Sequence, residues 1–174
     1  DYAGAREWYE KNGSAEDIAR CDYELDREAY EAAAAQLAAG EYDAARLAFE
    51  ALGDFEDAAD RALECSIFKA RALTDAGSYT DALDVLSALP EDYAGAEELT
   101  EEAREGLYRQ ALAATYECRM DEAIMLWNSL GSYKDSDSLL KRCMSRIVSM
   151  AAGTEERVNY SPYAGRDVGD GILY

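Results

Sequence analysis

Apolar and small residues recur along this chain at spacings of three and four. From Tyr30 the series runs through Ala33 and Leu37 to Gly40, then resumes as Tyr42, Ala45, Phe49 and Leu52. That is the period of a helix with one buried face. Gly40 predicts the end of the first helix, because glycine reaches a left-handed cap without steric cost. Tyr42 predicts the start of a second, which Leu52 and Gly53 end. Asp54 then stands where an N-cap is expected, with Glu56 and Asp57 in the positive first turn of a third helix.

Two further copies follow. Ile67, Ala70, Gly77, Tyr79, Ala82, Leu86 and Leu89 repeat the series 37 positions on, after which Pro90 and Glu91 are inserted before Asp92 and Tyr93. Tyr108, Ala111, Cys118, Met120, Ala123, Trp127, Leu130, Gly131 and Tyr133 repeat it after a further 41, with Cys118 in place of the turn glycine. The spacing predicts short helices at about 42–51, 79–88 and 120–129. Between Phe55 and Ala76 there is neither glycine nor proline, so one unbroken long helix is expected. A second is expected from Tyr133 to Met150, and a third begins at Tyr93 with Gly106 as a candidate break. Serine followed by aspartate three positions later, at Ser14 and Asp17, Ser78 and Asp81, and Ser132 and Asp135, reads as a capping-box variant that marks helix starts.

The ends are less regular. Asp-Tyr-Ala-Gly-Ala occurs at 1–5 and again at 92–96, so Tyr2 is expected to open a helix equivalent to the one at Tyr93 and to run to Gly13. Cys21 to Gly40 is longer than Cys65 to Gly77, which predicts about two extra turns in the N-terminal unit. The expected organisation is N-terminal helices with an insertion over 1–29, repeats over 30–150 (about 30–65, 66–105 and 106–150), and a degenerate repeat with an irregular tail over 151–174. Asp1, in place of an initiator methionine, is expected to be a cut end of a processed or longer chain.

The segments Gly40-x-Tyr42-x-x-Ala45-x-x-x-Phe49, Gly77-x-Tyr79-x-x-Ala82-x-x-x-Leu86 and Cys118-x-Met120-x-x-Ala123-x-x-x-Trp127 resemble the tetratricopeptide-like superfamily, over roughly Tyr30 to Met150. Leu52 to Ala58 and Leu130 to Ser136 look like a further signature of bacterial repeats. The resemblance implies an all-α fold, a short α-solenoid of hairpins in which long and short helices alternate. It implies a concave face, built from the first helix of each pair, that holds a peptide or partner protein. By position that face includes Arg27, Tyr30, Arg71, Thr74, Tyr108 and Thr115. Repeats of 37 and 41 residues depart from the family's 34.

Charge narrows the choice of partner. The net charge is −20, and residues 1–65 carry 18 acids against 6 bases, residues 66–105 carry 10 against 3, and residues 106–150 carry 5 against 6. Nucleic acid is excluded, since phosphate backbones need clustered lysine and arginine. A basic peptide suits the acidic two-thirds, although most of the carboxylates read as a solvated face. Histidine is absent, removing the commonest general base and imidazole ligand. Cys21, Cys65, Cys118 and Cys143 have no paired spacing for zinc and read as small buried residues. Disulfides are unforced, which favours a reducing, cytoplasmic compartment, with extracellular or membrane-tethered placement in a longer chain left open. Glutamate pairs at 97–98 and 101–102 have the spacing of a helix surface, and the segments 134–138 and 167–171 lack an EF-hand's ligand order. No catalytic residue, metal or cofactor is expected. No apolar run reaches the roughly 20 residues that cross a bilayer. The function expected is a non-enzymatic scaffold. The alternative is a self-assembling module whose tyrosine-rich tail docks on the repeats or on a neighbouring copy.

Overall fold

The short helices lie where the apolar spacing places them. In the computed structural model, which describes residues 1–151, the order is α1 (Tyr2–Asn12), α2 (Ala15–Ala38), α3 (Tyr42–Leu52), α4 (Ala58–Asp75), α5 (Tyr79–Ser87), α6 (Ala96–Tyr116), α7 (Met120–Leu130) and α8 (Ser136–Ala151). The described residues form helices and turns only, so the fold is all-α. The stretch read as a degenerate repeat and irregular tail lies outside the described residues from 152 onward, as do the segment 167–171 and the tail's proposed docking.

Local chemistry explains the boundaries. Asp1 opens α1 by accepting from the Gly4 N–H at 3.2 Å, and Gly13 closes it with φ 85°. Ser14 caps α2, accepting from the Asp17 N–H at 3.3 Å while its hydroxyl donates to the Asp17 carboxylate at 2.7 Å, the capping pair expected of these residues. With 24 residues against 18 in α4, α2 carries most of the two extra turns expected of it. The turn before each short helix is left-handed in all three copies, with φ 81° at Gly40, 78° at Gly77 and 60° at Cys118. Cys118 thus adopts the glycine's conformation despite its side chain.

The chain divides into two compact units, residues 1–72 with 85–96, and residues 73–84 with 97 onward. In the first, α2, α3 and α4 close on Ala33, Ala45, Phe49, Ala58, Ala62 and Cys65, all buried, with Tyr30 and Leu37 packed against them. The alanines let backbones approach while Phe49 fills the space between. In the second, α6, α7 and α8 close on Leu107, Ala111, Ala123, Trp127, Leu139 and Cys143.

Three expectations about helix starts and breaks need correction. Asp54 is no N-cap, and Phe55, Tyr93 and Tyr133 do not open helices. Each aromatic residue sits in a turn. Its N–H donates to the carbonyl three residues back, and its carbonyl accepts from the N–H three residues on, at Ala58 (3.0 Å), Ala96 (3.1 Å) and Ser136 (3.1 Å), where the helix begins. Ser132 likewise starts no helix. Asp57 and Asp135 stand at the true starts, their carbonyls taking the first helical bonds from Arg61 at 2.9 Å and Leu139 at 3.1 Å.

Gly106 does not break α6. A side chain there would place its Cβ 2.3 Å from the Tyr79 ring, so the glycine is kept for close approach inside the second unit. Finally, Asp-Tyr-Ala-Gly-Ala is helical at its first occurrence and a turn at its second, where Gly95 has φ 82°.

Candidate functional site

The six residues expected on a partner-binding face have different fates. Arg27 is exposed and paired on its own helix with Glu24 at 2.7 Å and Glu31 at 3.8 Å. Arg71 is exposed. Thr74 is buried, 6 % accessible. Thr115 is fully buried, its hydroxyl donating to the Ala111 carbonyl at 2.8 Å and accepting from the Trp127 indole N–H at 2.9 Å. It satisfies the one polar atom of a buried tryptophan, and offers no surface to a partner.

Tyr30 and Tyr108 are packing residues too. Tyr30 meets Phe49 edge to face with ring centroids 5.2 Å apart, and Tyr108 meets Trp127 in the same way at 5.2 Å. Each also touches the aromatic residue of the following turn, Phe55 at 6.1 Å and Tyr133 at 6.2 Å. Their hydroxyls reach past those rings to Asp57 and, at 2.5 Å, to Asp135. Each tyrosine therefore fastens a long helix to the start of the next.

The electrostatics of these fastenings follow from their bonds. The Tyr30 hydroxyl, with help from the Arg61 charge, holds the Asp57 carboxyl below its ordinary range, and the same bond raises Tyr30. In the second unit Lys134 pairs with Glu105 and lowers its carboxyl, while the ammonium lies 5.1 Å from both the Tyr108 and Tyr133 ring centroids. Tyr133 donates to Glu101 at 2.6 Å. The carboxyls that shift are thus driven toward the ionised form, opposite to what a general acid requires.

A cleft of about 350 Å³ opens within the first unit, and none of the six residues lines it. Asp43, Arg46 and Glu50 line one wall at spacings of three and four along α3, and Ser66 and Lys69 of α4 face them. Lys69 bridges the helices, its ammonium 2.7 Å from both oxygens of Asp43, and Arg46 pairs with Glu50. Leu63, Val85 and Leu89, each half-buried, supply the apolar lining. Cys65 is fully buried beside them, and burial together with the neighbouring Glu64 charge pushes its thiol up, so it stays protonated and unreactive.

Sequence reasoning sought the site on the long helices and missed this cleft. The Asp43, Arg46 and Glu50 stripe was readable from its spacing; its partner Lys69, 26 positions away, was not. Among the described residues no group of three or more Cys, Asp or Glu is placed to hold a metal ion, and Cys21, Cys65, Cys118 and Cys143 are all free thiols, of which Cys118 is exposed. No described helix is long and apolar enough to cross a membrane. Comparison with known proteins returns no matching family model, no match among curated proteins and none among solved structures.

Proposed function

We propose that the chain is a non-enzymatic interaction module of tetratricopeptide-like hairpins, stacked as a short solenoid, that binds a lysine- and arginine-rich peptide or protein segment. The observation that carries this reading is where the charge lies. The unit that holds the cleft, residues 1–72 and 85–96, has 20 acids against 8 bases. Such a field attracts cationic segments and steers their approach.

Chemistry supports a binding role over a catalytic one. Histidine is absent, the shifted carboxyls favour their charged forms, and the thiol at the cleft is protonated. What the surface offers is ionised carboxylate and a small apolar floor, which suits recognition by complementarity.

Fluorescence anisotropy of the full chain with labelled peptides that are lysine- and arginine-rich, glutamate-rich or uncharged tests the reading. The basic peptides are expected to bind, with affinity falling as salt rises. No binding by any basic peptide at low salt, or equal binding by the glutamate-rich one, rejects it.

A further inference from the structure

We infer that the cleft between α3 and α4 is the seat of one lysine or arginine side chain of the bound segment. This rests on the proposed binding of basic peptides and assigns it a place.

Three features of the cleft converge on an aliphatic stem with a cationic head. The floor is apolar where Leu63, Val85 and Leu89 line it, and each of those residues is only partly buried. A bare metal ion or ammonium makes no use of such a floor; a four-carbon stem does. The rim carries two carboxylates on one helix face, Asp43 and Glu50, whose side chains are 64 % and 47 % exposed, while their partners Lys69 and Arg46 are only 33 % and 35 % exposed. In each pair the acid is the more exposed partner, and so the more accessible to an arriving ligand.

Capacity also remains at the rim. An ionised carboxylate offers about four acceptor positions. Among the described residues Asp43 uses its oxygens on Lys69 alone, and Glu50 uses one oxygen on Arg46. A second cation therefore adds to these carboxylates without displacing the first, and Ser66 stands on the opposite wall as a hydroxyl partner. An anionic side chain fares differently. Reaching Lys69 or Arg46 means passing both acids in a unit with 20 acids and 8 bases. At about 350 Å³ the cleft lies at the lower end of the about 300–1,000 Å³ range of ligand sites, which fits one or two side chains and no folded domain.

The test uses the full chain and a fluorescein-labelled decapeptide of alternating lysine and leucine, read by anisotropy, with circular dichroism on every variant. D43N/E50Q is expected to weaken binding by about tenfold or more, the effect of losing about 1.4 kcal/mol. E97Q/E98Q, which removes the same charge from exposed positions that do not line the cleft, is expected to leave affinity within about twofold. A88W closes the mouth of the cleft from an exposed position without changing charge, and is expected to abolish binding while the helical signal is kept. If the peptide binds and A88W leaves the affinity unchanged, or D43N/E50Q and E97Q/E98Q weaken it equally, the cleft is not the seat, although basic-peptide binding stands. If no basic peptide binds the unsubstituted chain, the functional reading itself fails.

Discussion

Tyr108 donates its hydroxyl proton to Asp135 at 2.5 Å, and Tyr30 makes the same bond to Asp57, 78 positions earlier for donor and acceptor alike. Between them, Phe49 and Trp127, and Phe55 and Tyr133, are separated by the same 78 positions and occupy the same edge-to-face and turn roles. The middle copy differs. Ile67 stands where the tyrosine is, and Gly95 follows Tyr93 where Asp57 follows Phe55. Donor and acceptor are present together or absent together.

Y108F is therefore expected to destabilise the chain by about 1.5–3 kcal/mol, the range for a bond to a charged acceptor. Urea denaturation checks it, with D135N as the complementary variant. D135N keeps an acceptor and removes its charge, so it should cost less than Y108F, and the double variant should cost little more than Y108F alone. Additive losses would show that the two residues act separately.

Thr115 provides a second stability test. T115V keeps the shape and removes the acceptor of the buried Trp127 N–H, which is expected to cost about 1–3 kcal/mol, whereas T115S keeps the hydroxyl and should cost less. Peptide affinity of the folded T115V protein should be unchanged, since the residue is inside.

Cys118 holds a left-handed backbone at φ 60° where the other two copies have glycine. C118G is expected to stabilise by about 1 kcal/mol, the scale of the left-handed penalty for residues with a Cβ. The gain is reduced by loss of the contact that Arg146 makes to the thiol at 3.7 Å. A thermal melt of both proteins under reducing conditions reads the sign.

G106A should go the other way. Alanine favours a helix by about 1 kcal/mol over glycine. Here its Cβ would lie 2.3 Å from the Tyr79 ring, and overpacking costs about 1–3 kcal/mol. A net loss is expected, with partial recovery in G106A/Y79L. A net gain for G106A alone would mean that the ring moves aside freely.

The pH dependence follows from opposite shifts in one pair. Asp57 titrates below its ordinary 3.8, so it contributes stability that is present above that value and lost as pH falls through its folded pKa. Glu105, lowered by Lys134, acts in the same direction below its ordinary 4.5. Tyr30 titrates above its ordinary 10.0, so its contribution is present below that value and lost as pH rises through the folded pKa. Stability should fall at both extremes, and D57N should flatten both limbs relative to the unsubstituted chain in urea melts across pH.

Helix period was legible because it is local. Ala45, Phe49, Ala123 and Trp127 are as buried as their spacing requires. The helix starts at Ala58, Ala96 and Ser136 were misplaced by a few residues, because Asp54 and Ser132 offer the right capping chemistry one turn too early. What decides the matter is the aromatic ring of Phe55 or Tyr133 packing back on a tyrosine about 25 positions upstream. Tyr108 and Thr115 were assigned to a surface by their position on the first helix of a pair. Their partners, Asp135 and Trp127, lie 27 and 12 positions on, where no helical period reaches. The cleft was illegible for the same reason: Lys69 and Asp43 meet only once α3 and α4 have packed.

The pentapeptide written twice in this chain is its own control experiment. With identical letters, residues 1–5 enter a helix behind an aspartate cap, while residues 92–96 bend so that Ala96 is buried at the head of α6. Any rule that scores a five-residue window in isolation must return one answer for both and be wrong at one of them. Transplanting the pentapeptide between scaffolds would therefore carry no conformation with it; what is inherited is the neighbourhood, and the letters only permit it.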